Sequence, residues 1–232
     1  MTLPSLLVSI PVLGRPERAL PLVDSICDTV PHARVLFLCS PGDDGQIDAS
    51  RSTCSEVDVV PWEPGAGDWA RKHNRALAAA GEDFILLAAD DLRFHPGWFE
   101  AAVAVQARTC ACVIGTNDLG NPRVTRGHHS THPLVHREYI PAGTIDDPSR
   151  LLHEGYSHQF VDDEFVQTAQ ARGVYAHAHQ AYVEHLHPHW GKGSDDETYR
   201  LGQRGFAEDR ALYQRRARLW EAEFARLSRS RR

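Results

Sequence analysis

Two adjacent carboxylates, Asp90 and Asp91, follow the apolar run from Phe84 to Ala89 and precede Pro96-Gly97-Trp98. Carboxylates this close repel unless a cation lies between them or one is protonated. Hard oxygen ligands of this kind suit Mg²⁺ or Mn²⁺ carrying a phosphate. The rival reading is a solvated turn with a helix cap, because Asp is common in both. A second acidic group, Asp162-Asp163-Glu164, falls where a helix is expected to begin, an ordinary complement to the helix dipole. Further on, His185, His187 and His189 alternate. In extended chain, alternate residues point the same way, so at least His185 and His187 can meet one cation. An independent zinc site built from all three is the sharper alternative.

These residues need elements to position them. Residues 84–88 read as a buried parallel strand, and Pro96-Gly97 with Trp98, Val103 and Val105 as the start of a helix. The Asp pair between them then lies at the carboxyl edge of a sheet, where open α/β folds bind ligands. Further strands are expected at Leu6–Pro11, Arg34–Cys39, 57–60 and 110–115, with helices at 17–29 and 68–80. After residue 116 the pattern becomes polar and rich in Gly and His, which predicts a mixed second half. There Leu134-Val135-His136 is a short strand at best, 160–172 an amphipathic helix closed by Gly173, and 178–185 a further strand. One long helix is expected over 197–226.

Three segments share the proposed edge: Pro11-Val12-Leu13-Gly14-Arg15, Ser40-Pro41-Gly42-Asp43-Asp44, and Gly65 to Asn74. Gly65 and Gly67 let backbone approach a ligand, and the helix start with Arg71 and Lys72 favours an anion. Neither GxxxxGK[ST] nor GxGxxG occurs, which argues against a Walker loop and a Rossmann dinucleotide site. Trp62 and Trp69 flank this cleft as stacking or packing residues. His128, His129, His132 and His136 have no metal-like helical spacing and stay unassigned, with the acceptor groove one place for them.

At 232 residues with a net charge of −6, the chain is long enough for a sizeable core. Residues 201–232 hold nine arginines against four carboxylates, which makes that segment +5 and the remainder −11. Such a tail either tracks phosphates or an anionic surface, or is a solvated face with intrahelical ion pairs. Five scattered cysteines without CxxC argue against a disulfide framework and a zinc ribbon. LLVSIPV reads as a first buried strand rather than a leader, and no apolar run approaches the ~20 residues of a spanning helix. A cytoplasmic protein without a transmembrane segment is expected.

The order of features over roughly residues 4–192 resembles the GT-A fold glycosyltransferases, in particular family 2-like, nucleotide-sugar-dependent enzymes such as those of bacteriophages or actinobacteria. The matching residues are Pro11 and Arg15, then Asp43 or Asp44, then Ala70-Arg71-Lys72-His73-Asn74, then Leu87-Ala88-Ala89-Asp90-Asp91. Ala88 replaces the first Asp of a strict DxD. The resemblance implies an α/β, GT-A-like (Rossmann-like) fold: a mostly parallel sheet with flanking helices, a mixed second half and a C-terminal helical extension. A catalytic domain would occupy 1–193, with a nucleotide-sugar half (1–116) and an acceptor half (117–193), and the basic extension 194–232.

It further implies transfer of a sugar from a UDP- or GDP-sugar to a hydroxyl acceptor, with inversion and with Mn²⁺ or Mg²⁺. A hydroxymethylated DNA base is one such acceptor. On this resemblance Pro11, Arg15, Asp43, Asp44, Lys72, Asn74 and Asp90 bind the nucleotide sugar. Lys192, in the mobile loop 190–195, would reach a phosphate on closing. Asp91 with His185 or His187 would hold the metal. Asp163, or else Asp162, would be the general base that takes the acceptor proton. Two alternatives remain: a sugar-phosphate nucleotidyltransferase, for which Val12-Leu13-Gly14-Arg15-Pro16 is a poor signature loop, and a non-catalytic nucleic-acid-binding module using the Arg-rich tail.

Overall fold

An apolar strand buried along its whole length needs cover on both sides. In the computed structural model, which describes residues 3–230, β1 (Leu6–Pro11) has that cover. Leu6, Val8 and Ile10 enter one core and Leu7 the other, the period-two division a pleated strand imposes. From the N-terminus the chain continues through α1 (Ala19–Thr29), β2 (Arg34–Cys39), α2 (Asp44–Ser52), β3 (Glu56–Val59), α3 (Asp68–Ala79) and β4 (Phe84–Leu87). Then come β5 (Leu92–Phe94), α4 (Trp98–Thr109), β6 (Val113–Asn117), α5 (Pro122–Thr125) and β7 (Leu134–His136). The last elements are α6 (Val161–Ala171), β8 (Tyr175–His185), α7 (Glu197–Gln203) and α8 (Phe206–Ser230).

The eight strands form one sheet in the order β3-β2-β1-β4-β7-β6-β8-β5. β3, β2, β1 and β4 are parallel, as are β6 and β8, whereas β7 runs against both its neighbours and β5 against β8. The α/β class, the mostly parallel sheet and the mixed second half therefore match expectation. Helices α1 and α4 cover one face through Leu22, Ile26, Trp98 and Phe99. On the other face α3 and α6 supply Ala70, Leu77, Phe165 and Val166. β1, β2, β4, β6 and β8 all end at one edge, the place where a switch in strand order leaves room for a ligand.

Several boundaries differ from expectation. The Asp pair leads first into β5, a three-residue edge strand that pairs Leu92 with His185, and only then into α4. The strand expected at 110–115 begins at Val113, because α4 runs to Thr109 and Cys110 closes it in a left-handed conformation. α2 was not expected: of its nine residues only Gln46, Ile47 and Ser50 are buried, too little apolar periodicity to announce a helix. The single long helix expected over 197–226 is two, divided at Arg204-Gly205. A Cβ on Gly205 would stand 2.6 Å from the Ser157 hydroxyl, so this close approach needs glycine.

The C-terminal helices are fastened to the body. Asp209, at 2% exposure, accepts the backbone N–H groups of Ser157, His158 and Gln159 at 2.6, 2.9 and 2.8 Å. Arg216 forks onto both Glu164 and Asp146, and Tyr156 donates to Glu164. Among the described residues no helix is long and apolar enough to cross a membrane. Asp209→Asn replaces an acceptor of three N–H groups by a side chain that is half donor. It should lower unfolding free energy by roughly 3 kcal/mol in urea titrations, because charge-assisted bonds in buried surroundings are among the strong ones.

Candidate active site

Asp91 lies just past β4, and β8 brings His185 beside it. Leu92 and His185 are ladder partners, the backbone N–H of Leu186 donates to the Asp91 carbonyl at 2.8 Å, and that of His185 donates to the Asp118 carbonyl at 3.1 Å. His185 Nε2 donates to Asp91 Oδ2 at 3.0 Å. The third member is His132, in the loop before β7, whose ring stands edge-on to His185 at 4.9 Å. Its Nδ1 donates to the Leu87 carbonyl at 3.2 Å, which leaves the lone pair on Nε2, a buried atom without a partner. One ligand atom from each of Asp91, His132 and His185 lies within 4.8 Å of the others, and all three residues are buried.

The charges of these groups are set by their surroundings. Burial opposes ionisation of Asp91, but the neighbouring His185 and the Tyr199 hydroxyl hold its carboxyl well below the usual carboxylate range. Burial would strip the proton from His185, yet Asp91 keeps that imidazole above its ordinary value. Burial and His185 push His132 down to about 3, so it stays neutral and competent as a ligand. Burial and Asp91 raise Asp90 to about 6 against the pull of Arg15 and Arg18. Arg15 Nη1 donates to Asp90 at 2.9 Å, and Arg18 stands 3.7 Å from the same carboxylate. One carboxylate and two imidazoles with an orphaned lone pair fit a divalent cation of the Mn²⁺ type.

Two other guests occupy this edge. Asp196 takes Arg15 Nε and Nη2 at 3.0 and 2.7 Å and Arg18 Nη2 at 3.0 Å. The Tyr199 hydroxyl donates to Asp91 Oδ2 at 2.8 Å and accepts from Arg18 at 2.9 Å, while Arg15 lies 3.9 Å over its ring. Arg18, His132, Asp196 and Tyr199 escape sequence reasoning. Nothing local links His132 to Asp91, and Asp196 and Tyr199 read as an ordinary helix start, which they also are, since Asp196 accepts the Tyr199 N–H.

The remaining expected residues fall into different roles. Pro11 ends β1, and Asp43 accepts the Gly14 N–H at 2.7 Å, which ties the first two loops together. Asp44 is exposed on the first turn of α2. Lys72, expected to face an anion, is buried, with its ammonium on the Val12 carbonyl, the Ser40 hydroxyl and Asp68 at 2.9, 2.8 and 2.7 Å. All three N–H groups are satisfied, so it fastens the two segments after β1 and β2 to the start of its own helix and has none left for a phosphate. Asn74 is likewise spent on Leu152 and Glu154. Lys192 donates to the Leu119 carbonyl and to Glu184.

His187 stacks edge-on against His185 and Tyr199 and uses Nδ1 to accept from its own neighbour His189, so the trio 185, 187 and 189 does not converge. His132 holds the place expected of His187. Of the four unassigned histidines, His129 and His132 are buried, His128 is exposed, and His136 packs against Phe84. Trp62 donates to Asp68 and lies under Arg71, and Trp69 packs on His73.

At the start of α6, Asp162 accepts from His129 at 3.1 Å and Asp163 pairs with Arg123 at 2.7 Å. Burial raises both carboxyls, but His129 takes Asp162 below the ordinary value. Asp163 ends above it through burial and the Asp162 charge. Asp162 is near enough for its charge to act on His132 and His185.

No family model matches the sequence, and no curated protein matches it. Solved structures do. The mannosyltransferase PcManGT of Pyrobaculum calidifontis, in complex with GDP-Man and Mn²⁺, superposes with a TM-score of 0.66 at 16% identity, covering 96% of this chain and 70% of that one. Glucosyl-3-phosphoglycerate synthase of Mycobacterium tuberculosis, with Mn²⁺, UDP-Glc and phosphoglyceric acid, gives 0.60 at 16% over 92% and 79%. TarS 1–349 of S. aureus with UDP gives 0.59 at 15%, covering 77% of this chain and 59% of that one. The chain has the GT-A fold. Within the GT-A fold of this chain, the cluster Asp91, His132 and His185 sits at the carboxyl edge of the sheet. His132→Ala should weaken Mn²⁺ binding in calorimetric titration by more than about tenfold, the loss already typical of removing an outer-shell partner. His187→Ala should leave it within about twofold of the parent, because the geometry gives His187 no place in the cluster.

Proposed function

We propose that this chain is a metal-dependent glycosyltransferase that moves a sugar from a nucleotide-diphosphate sugar to a hydroxyl acceptor with inversion. The observation that carries the reading is the convergence of Asp91, His132 and His185 beside the Arg15–Arg18 pair, in a GT-A fold. Solved proteins of this fold are described with GDP-Man, UDP-Glc and UDP, which supports a UDP- or GDP-sugar as donor. Asp91, His132 and His185 would hold a divalent cation, which would supply positive charge for the departing diphosphate. Arg15 and Arg18 bring two guanidiniums to the same edge, and Asp90 orients Arg15 while facing the nucleotide sugar. Five free cysteines, three of them exposed, fit a reducing cytoplasm.

Asp163 is the general base of this reading and Asp162 its partner. Asp162 is fixed in its ionised form by His129, so its charge raises the proton affinity of Asp163. A base needs both an ionised resting state and an appetite for protons; Arg123 supplies the first and Asp162 with burial the second. The acceptor carries a hydroxyl. A hydroxymethylated DNA base falls in this class, supported by Arg210, Arg215, Arg218 and Arg229 of α8, which make no ion pair among the described residues.

Asp163→Asn should slow transfer by about 10²–10⁴-fold, the usual worth of acid–base catalysis, and leave donor affinity unchanged in equilibrium titrations. The acidic limb of the transfer rate should lie above the ordinary aspartate value of about 3.9, since the base must be deprotonated and its affinity for the proton is raised. Removing the opposing cation in Arg123→Ala should move that limb further up in pH. A limb that moves down, or full activity of Asp163→Asn, would refute the assignment. Asp91→Ala should abolish both metal-stimulated nucleotide binding and donor turnover.

A further inference from the structure

Helix α7 lacks an apolar anchor: none of its residues is buried, and Leu201 is 42% exposed. Helices usually hold to a body through a buried face. This one is held largely by polar groups, and most of them belong to the site. Asp196, its N-cap residue, engages Arg15 with two bonds and Arg18 with one, Tyr199 engages Asp91 and Arg18, and Thr198 donates to the Leu13 carbonyl at 3.2 Å. Further ties are the His187 ring edge-on to Tyr199, Gln159 donating to the Gly202 carbonyl and the His158 ring packed against Gly202.

The chemistry of these contacts imitates a bound donor. Arg15 and Arg18 would meet the oxygens of a diphosphate, and a carboxylate with two acceptor oxygens now spans them. The Asp91 oxygen nearest His185 would meet a cation, and a phenolic O–H now points at it. A negative group thus sits where phosphate would, and a positive hydrogen where metal would. We propose that residues 195–203 are a built-in pseudo-ligand, a latch that satisfies the donor site's charges while it is empty and must be expelled before a metal–nucleotide complex can bind. The proposal rests on the glycosyltransferase reading of the site.

Its physical consequence is a toll on affinity. If the binding-competent state is the one with the latch released, the apparent dissociation constant is the intrinsic value divided by the released fraction. The cost of release lies in the polar bonds of Asp196 and Tyr199, which the incoming ligand replaces, because little apolar surface is exposed when α7 leaves. The flanks permit it: Gly191 has a φ of +70° with open space around it, and Gly205 stands at the break before α8.

The test compares the full chain with the double variant Asp196→Asn, Tyr199→Phe, titrating each with UDP and with GDP in the presence of Mn²⁺. The latch requires the variant to bind at least one nucleotide about tenfold more tightly, since charge-assisted bonds that compete with the ligand are gone. It also requires backbone amides 196–203 of the unaltered chain to exchange hydrogen faster when nucleotide and Mn²⁺ are saturating. Weaker binding by the variant, or slower exchange on saturation, would mean that α7 closes over the ligand and would overturn the latch. If the unaltered chain binds and the variant binds no more tightly, the latch alone falls. If neither protein binds either nucleotide, the reading of the site falls and takes the latch with it.

Discussion

Two carboxylates, each less than a tenth exposed, stand side by side at the end of β4, and their mutual repulsion is the constraint around which this edge of the molecule is arranged. Neither can be ionised without a counter-charge, because burial and a like charge both favour the proton. The chain divides the pair. Arg15 and Arg18, from the loop after β1, take Asp90; His185, from the end of β8, takes Asp91. Two halves of the sequence more than 90 residues apart are thus held together by one local electrostatic problem. The mixed sheet exists to deliver the second partner. β8 lies beside β6 and lends its last residue to β5, which starts immediately after the Asp pair.

The same device recurs at the start of α6. Asp162 and Asp163 are adjacent, half-buried and of divided character, one held ionised by His129 and the other left with a raised affinity for protons beside Arg123. Pairs of titratable groups whose surroundings push them apart are the usual mark of acid–base division of labour. At β4 the division instead concentrates negative charge on Asp91, next to two imidazoles. Under the proposed function, the carboxylate beside nitrogen ligands would hold the cation and the carboxyl with raised proton affinity would be the base. The two pairs share a principle and differ in what surrounds them.

How far the sequence announces this depends on the range of each interaction. Long apolar strands are legible because burial on both faces leaves an unbroken run, as in Leu6–Pro11 and Arg34–Cys39. The residues that carry the resemblance, Asp90-Asp91, Arg15 and His185, do come together at one edge, because they stand at strand ends whose positions the fold dictates. β5 and α2 are not legible: three residues are too few for a period, and α2 buries only one apolar side chain. His132 is invisible for another reason, since its partners come from β4 and β8 and no spacing in its own loop records them. Lys72 shows the converse failure. A lysine after a glycine-rich loop has the same local signature whether it faces a ligand or, as here, turns inward to fasten Val12, Ser40 and Asp68.

The inward turn of Lys72 clarifies what remains for binding an anion. With that ammonium and Asn74 committed to structure, Arg15 and Arg18 are the cations that border the Asp pair. Both lie in a segment short of apolar anchors of its own, with no buried residue in the 3₁₀ turn Pro16–Arg18. Their placement depends on partners: the Arg15 N–H donates to the fully buried Gln46 of α2, and Asp43 holds Gly14. A guanidinium pair supported in this way, with Asp90 beneath it, would repel itself if nothing negative lay above. The chain meets that requirement from its own C-terminal segment through Asp196. A diphosphate, with more charge and more acceptor oxygens than one carboxylate, is the kind of ligand that could meet it better.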